Sequence, residues 1–230
     1  MVGFGPGPWE KVTLEVADLL LNADRIYFRD PTWEVYEHLE RQGKRLFRLN
    51  HLYMLGLPYG EVYGMTVEIL LKSARLYGPL VYAQAGNPFV FEFSTAYLLA
   101  EAAREGLTVR VVEGMSCLDT MFVEHQLDPG HGLQILNMFQ VLQGQPWTPQ
   151  IGALIFQVGA PIVGYGSNFL EIMRLEAHLG RLYPPGHPLV LMRPSATSTA
   201  QERIPMKLGE LSRRSEELTL YSTLYVPARG

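Results

Sequence analysis

Three glycine-containing loops are the segments of this chain best suited to hold a ligand. The first, Gly3-Phe4-Gly5-Pro6-Gly7, runs into Pro8 and Trp9 and lacks the six-position spacing of a dinucleotide-binding fingerprint. The second, Ala85-Gly86-Asn87-Pro88-Phe89, follows the apolar run Leu80 to Ala83; the third, Glu113-Gly114-Met115-Ser116-Cys117, follows Thr108 to Val112. Glycine lets a backbone approach a ligand closely, so such loops can line a site with amides and carbonyls. A plain strand-to-helix turn uses the same residues, and for the first loop both readings stand. The second has the stronger claim, because ligands of α/β sheets sit at the carboxyl ends of strands. Ser116 can cap the helix that begins there, which does not exclude a ligand contact. His125, Asp128 and His131 flank Pro129-Gly130 without an established ligand spacing and read as a solvated turn, so no metal is expected. Asp30 with Glu34, and Glu37 with Glu40, have the spacing of a wet helix face. Met115, Met121 and Met138 read as core, and the single cysteine, Cys117, reads as a small buried residue.

The elements that must position these loops alternate between short β-branched or aromatic runs and segments of helical period, the pattern of α/β units. Val12 to Leu21 reads as a helix and Arg25 to Phe28 as the strand after it. Thr32 can cap the next helix, through Gln42, with Gly43 as its stop. Leu46 to Leu49 reads as a strand, Met65 to Tyr77 as a helix, Leu80 to Ala83 as a strand, Thr95 to Glu105 as a helix stopped by Gly106, and Thr108 to Val112 as a strand. This gives a mainly parallel, helix-covered first half, residues 1–142. Gln143 to Gln150 then reads as a linker. In the second half, residues 143–230, Ala153 to Val158 and Leu189 to Met192 read as strands around a helix from Asn168 to Leu182. Ile204 to Lys207 and Leu218 to Val226 read as later antiparallel strands.

Composition narrows the function. The 230 residues are 47% hydrophobic and 18% charged, a globular balance whose apolar tilt points to a subunit interface first, or to a cleft for an apolar ligand. A formal net charge of −4 supplies no large positive field for a phosphate backbone, so nucleic acid is not an expected partner. One cysteine suits a reducing cytoplasm, and the absence of a basic leader, an apolar signal core or a run of about 20 apolar residues argues against secretion and membrane insertion.

In their order and separations the loops resemble those of the tetrapyrrole-methylase superfamily, which opens with a Gly-x-Gly-Pro-Gly loop, a helix and an alanine-aspartate step, here Gly3 to Gly7 and Ala23-Asp24. Its Gly-Asp/His-Pro loop is matched by Gly86-Asn87-Pro88. Its Pro-Gly-x-Ser/Thr turn is matched by Gly114-Met115-Ser116, with Glu113 where proline is usual, and its last strand by Ser222 to Val226. The resemblance implies two α/β halves with a cofactor cleft between them, and S-adenosylmethionine as cofactor. Carried over by position, the cofactor contacts are Pro6, Gly86, Asn87, Val90, Ser116, Cys117, Asn137, Gln157 and Ala196. Carbonyls and amides suit a ligand with a sulfonium, an amino group and a carboxylate. It also implies a homodimer.

Within the superfamily, Ala153 to Val158, Tyr183 to Pro188 and Tyr221 to Pro227 look most like the borosin methyltransferases, which methylate backbone amides of a ribosomally made precursor peptide. An amide nitrogen must lose its proton before it attacks, and the resulting imidate must be stabilised. A tyrosinate can take the proton while a tyrosine hydroxyl donates to the oxyanion. The resemblance extends to Tyr53 and to Tyr63, 23 residues before Gly86, and makes Tyr53, Tyr63 and Tyr59 the candidates; simple packing of Tyr59 and Tyr63 on a helix start is the alternative. The borosin arginine about four residues before the matched tyrosine is missing from Tyr59-Gly60-Glu61-Val62, so either Arg48 or another arginine replaces it in space or the reaction differs. A chain ending at Gly230 suggests a peptide supplied in trans. Carbon methylation of a precorrin-like macrocycle, and a non-catalytic methylase-like binding domain, are the alternatives.

Overall fold

The computed structural model describes residues 1–29, 34–160, 169–194, 201–219 and 221–229. The chain forms two compact units, Met1–Asp119 and Thr120–Gly230.

In unit 1 the strands β1 (Val2–Gly3), β2 (Ile26–Phe28), β3 (Leu46–Arg48) and β4 (Val81–Gln84) form a parallel sheet of order β1-β4-β2-β3. Between them run α1 (Leu14–Asn22), α2 (Glu34–Arg41) and α3 (Tyr59–Tyr77), with α4 (Phe93–Arg104) after β4. Thr13 starts α1 through its Oγ1, which accepts from Val16 N at 3.3 Å. The expected cap at Thr32 lies outside the described residues. Because β2 is buried on both faces, its consecutive apolar residues divide between two cores. Ile26 and Phe28 pack with Val16, Leu20, Val35 and Leu39 of α1 and α2. Tyr27 packs with Val62, Leu70 and Leu98 of α3 and α4. The expected strand Thr108 to Val112 reduces to one bridge, Val2 to Val112: Val112 is buried, whereas Thr108 and Arg110 are exposed. α3 begins six residues before Met65, at Tyr59, and so carries Tyr59 and Tyr63 on its first turns.

Helix α5 (Cys117–His125) contains the division between the units. Beyond it β5 (Leu133–Asn137), α6 (Met138–Leu142), β6 (Gly152–Phe156), α7 (Phe169–Leu179), β7 (Pro188–Pro194), β8 (Gln201–Lys207) and β9 (Thr223–Val226) follow. Their sheet has the order β5-β6-β9-β7-β8, with β5 and β6 parallel and the remaining pairs antiparallel. β6 is buried throughout, against Ile172, Leu175 and Leu179 of α7. The division falls earlier than the boundary read near Leu142. The reason is the parallel register of Leu133–Asn137 with Gly152–Phe156, which makes the segment at 143–150 a connection inside one sheet.

Candidate functional site

The three glycine loops of unit 1 converge on one point. A Cβ on Gly3 would lie 2.2 Å from the Gly86 carbonyl oxygen, and one on Gly114 would lie 2.1 Å from the Gly3 oxygen and 2.6 Å from that of Gly86. Only glycine allows this approach. Gly86 N donates to the Gly5 oxygen at 2.7 Å, closing an antiparallel bridge between the first two loops. Gly86 itself has φ +73°, and a Cβ there would meet nothing within 4 Å. The packed backbone thus faces open space at Gly86, at the carboxyl end of β4. Pro6, Asn87 and Val90 are all half-buried on these loops. Asn87 Oδ1 accepts from Phe89 N at 2.9 Å, so the asparagine closes the turn through its own side-chain oxygen. Ser116 Oγ accepts from Leu118 N at 3.1 Å while Asp119 Oδ2 accepts from Ser116 N at 2.7 Å, a reciprocal cap for α5. Burial pushes the Cys117 thiol up, away from reactive thiolate character.

In unit 2, Asn137 ends β5 and Gln157 follows β6, the two adjacent parallel strands. Asn137 Oδ1 caps α6 by accepting from Phe139 N at 2.8 Å, and its Nδ2 donates to Gln157 Oε1. Gln157 holds φ +62°, a conformation that a non-glycine residue adopts only where its surroundings impose it. Ala196 lies outside the described residues. His131 and Asp128 are 3.9 Å apart and exposed, and Asp128 Oδ1 accepts from Gly130 N at 2.8 Å to form a turn. No group of three or more metal-ligating side chains exists among the described residues.

The three candidate tyrosines come together in unit 1. Tyr59 and Tyr63 stack one turn apart on α3, centroids 6.2 Å apart at 15°. Tyr53, from the 3-10 turn Asn50–Leu55, completes a triangle at 6.2 Å from Tyr59 and 6.5 Å from Tyr63. Burial pushes the Tyr53 and Tyr63 hydroxyls above the ordinary tyrosine value, and Arg29 pulls both back. Of the arginines expected there, Arg48 is engaged elsewhere: its Nε donates to Tyr36 OH at 2.8 Å, its guanidinium lies 4.8 Å from that ring, and Glu40 is 3.7 Å away. Arg29 is the arginine at the triangle, its Cζ 5.8 Å from the Tyr53 centroid, and it forms an ion pair with Glu92. Strand alternation held the signal for it. Tyr27 faces the α3 core, so Arg29, two residues on, points the same way. Gln84, two residues after Tyr82 on β4, is the other polar residue of this face; it is 1% exposed, and its amide group has no hydrogen-bond partner among the described residues.

The family described as Tetrapyrrole (Corrin/Porphyrin) Methylases matches residues 1–212. The chain belongs to this family of S-adenosylmethionine-dependent methyltransferases. Its relatives show how broadly the scaffold is used. A type I borosin cyclic peptide precursor and methyltransferase of Cerrena unicolor is 26% identical over 242 residues, covering 100% of this chain and 58% of the relative. The uncharacterized protein YabN of Bacillus subtilis is 32% identical over 137 residues, 60% of this chain and 28% of that protein. The chain therefore spans well under two thirds of these relatives. Among solved structures, uroporphyrin-III C-methyl transferase of Thermus thermophilus, complexed with S-adenyl homocysteine, superposes with a TM-score of 0.70 at 20% identity, covering 98% of this chain and 95% of that one. Among the described residues, no helix is long and apolar enough to cross a membrane.

Proposed function

We propose that this chain N-methylates backbone amides of a ribosomally made precursor peptide supplied in trans. The observation that carries the reading is the tyrosine triangle beside an arginine, in a chain matched along its whole length by a relative named as both methyltransferase and cyclic peptide precursor. S-adenosylmethionine supplies an electrophilic methyl group bound to a sulfonium, which is left as a neutral thioether. In unit 1 the residues suited to hold it are Pro6, Gly86, Asn87, Val90, Ser116 and Cys117, around a cradle lined by backbone groups.

The protein's own part is to make the amide a nucleophile. An amide lone pair is delocalised into its carbonyl, so the nitrogen must give up its proton as the new N–C bond forms. Tyr63 takes that proton at its phenolate oxygen, and Tyr53 donates its hydroxyl hydrogen to the carbonyl oxygen, where the negative charge gathers. Tyr59, stacked on Tyr63, orients the ring. Burial favours neutral tyrosine at rest, so little tyrosinate stands at neutral pH.

The test is intact-mass analysis of a precursor peptide incubated with the protein and S-adenosylmethionine: each turnover adds one methylene to the mass, and fragmentation locates it on backbone nitrogen. A macrocycle methylated on carbon, with peptides untouched, would replace this reading by carbon methylation, the chemistry for which the Thermus neighbour is named. Cofactor binding without transfer to either acceptor would leave a binding domain. The reading includes a homodimer, supported by exposed apolar residues such as Leu14, Met54 and Phe89. A strictly monomeric mass by light scattering at micromolar concentration would overturn that part.

A further inference from the structure

We propose that Gln84 sets the register of the peptide substrate: its carboxamide pairs with the N–H and C=O of one residue near the acceptor amide, and so decides which backbone nitrogen reaches the tyrosine triangle. The proposal rests on the peptide reading of this site and deepens it.

The hydrogen bonds of Gln84 are unmade. The residue is 1% exposed, and neither Oε1 nor Nε2 has a partner among the described residues. Buried polar side chains are ordinarily paired, because burial removes their bonds to water and an idle donor or acceptor then destabilises the fold. A carboxamide brings N–H donors and a carbonyl acceptor, and here all of them are idle. An apolar side chain of the same size would fill the position without that loss.

Register sets the direction in which the carboxamide is offered. Gln84 is the last residue of β4 and follows Tyr82 by two, so both side chains leave the same face of the sheet. Tyr53 packs against the core on that face, which contains Tyr27 and Tyr82. Phe28 stands opposite Ala83, and Arg29 N donates to the Ala83 oxygen at 3.2 Å, which brings Arg29 beside Gln84. The guanidinium nevertheless serves the Tyr53 ring and Glu92, and leaves Gln84 Oε1 without a donor. The main chain of Gln84 is committed, its oxygen accepting from Phe4 N at 2.9 Å. Only the side chain is unspent, at the strand end where ligands of α/β sheets gather and two residues before the open space at Gly86.

The chemistry of the missing partner follows from what a carboxamide offers. In an extended peptide the N–H and C=O of one residue point to the same side, as they do when paired strands exchange both bonds. Nε2 can donate to that carbonyl while Oε1 accepts from that N–H, which satisfies both ends of the side chain at once. The pairing fails if the residue already carries an N-methyl group: no hydrogen remains for Oε1, and the methyl occupies its place. Gln84 therefore makes the site sensitive to earlier methylation at one fixed distance from the acceptor.

The test uses the full chain with S-adenosylmethionine and synthetic peptides spanning the residue that becomes methylated, either unmodified or with one prior N-methyl at either of the two residues on each side of it. With the parent protein, one of the N-methylated peptides should fall about 10- to 100-fold in kcat/KM by mass spectrometry. Gln84→Met should bind the unmodified peptide less well and no longer distinguish the two. Without peptide, the same variant should melt about 2–4 °C or more above the parent and keep its affinity for S-adenosylhomocysteine; Gln84→Leu should repeat both effects. Equal rates for all peptides with the parent, or unaltered discrimination in Gln84→Met, would overturn the role. A lowered Tm in both variants would show that the carboxamide is already paired in the free protein, and weakened S-adenosylhomocysteine would assign it to the cofactor; either result also overturns it. If no peptide is methylated at all, the peptide reading itself fails, whereas equal methylation of every peptide leaves that reading standing and removes only Gln84.

Discussion

Replacement of Gly86 separates occupancy of the cradle from the backbone that shapes it. A Cβ at this position meets nothing within 4 Å, so neither alanine nor tryptophan collides with the protein at that atom. Both must adopt φ +73°, which costs an L-residue about 1–2 kcal/mol. For a chain of this length that corresponds to a fall in Tm of about 2–4 °C per kcal/mol. Gly86→Ala and Gly86→Trp should therefore lose similar, modest stability by calorimetry and stay folded by circular dichroism. They should part in ligand affinity. The methyl of alanine occupies little of the cradle, whereas an indole overlaps whatever the three loops hold, so Gly86→Trp should weaken S-adenosylhomocysteine by more than the roughly 2.7 kcal/mol that corresponds to 10²-fold. Isothermal titration reads both variants. A folded Gly86→Trp protein with undiminished affinity would refute the placement of the ligand at this loop.

Gly114→Ala should behave oppositely. Its Cβ would lie 2.1 Å from the Gly3 oxygen and 2.6 Å from that of Gly86, and forced overpacking costs about 1–3 kcal/mol or more; denaturant melts should show the loss with or without ligand. Tyr63→Phe should slow methyl transfer to peptide by about 10²-fold or more with cofactor affinity unchanged, as mass spectrometry and titration would show. Tyr53→Phe should act similarly, and the double variant should be no slower than the poorer single one if both hydroxyls serve one network. Because burial raises the Tyr63 hydroxyl above its ordinary value, the tyrosinate fraction at neutral pH should climb about tenfold per pH unit, and the transfer rate with it. A rate flat between neutral pH and the alkaline limit of the fold would exclude Tyr63 as the base.

The sequence by itself determined the family and most of the first sheet. The order of Gly3 to Gly7, Gly86-Asn87-Pro88 and Gly114-Met115-Ser116 was legible because close backbone approach admits glycine alone, and the geometry at Gly3 and Gly114 shows why. Strands such as Ile26–Phe28 and Gly152–Phe156 could be read because burial on both faces leaves an unbroken apolar run. Leu133–Asn137 does not read as a strand because only its last two residues are buried, and the linker after it is the more visible break in the sequence. Its pairing with β6, a long-range contact, decided the division of the chain. The tyrosines could be named from the resemblance, but the arginine beside them could not. Arg48, the arginine named from the sequence, is engaged by Tyr36 and Glu40. Arg29 meets Tyr53 and Glu92 only once β2 and β4 are in register and α4 has begun. Charge partners are chosen by distance in space, and that distance is set by the packing of elements far apart in the chain.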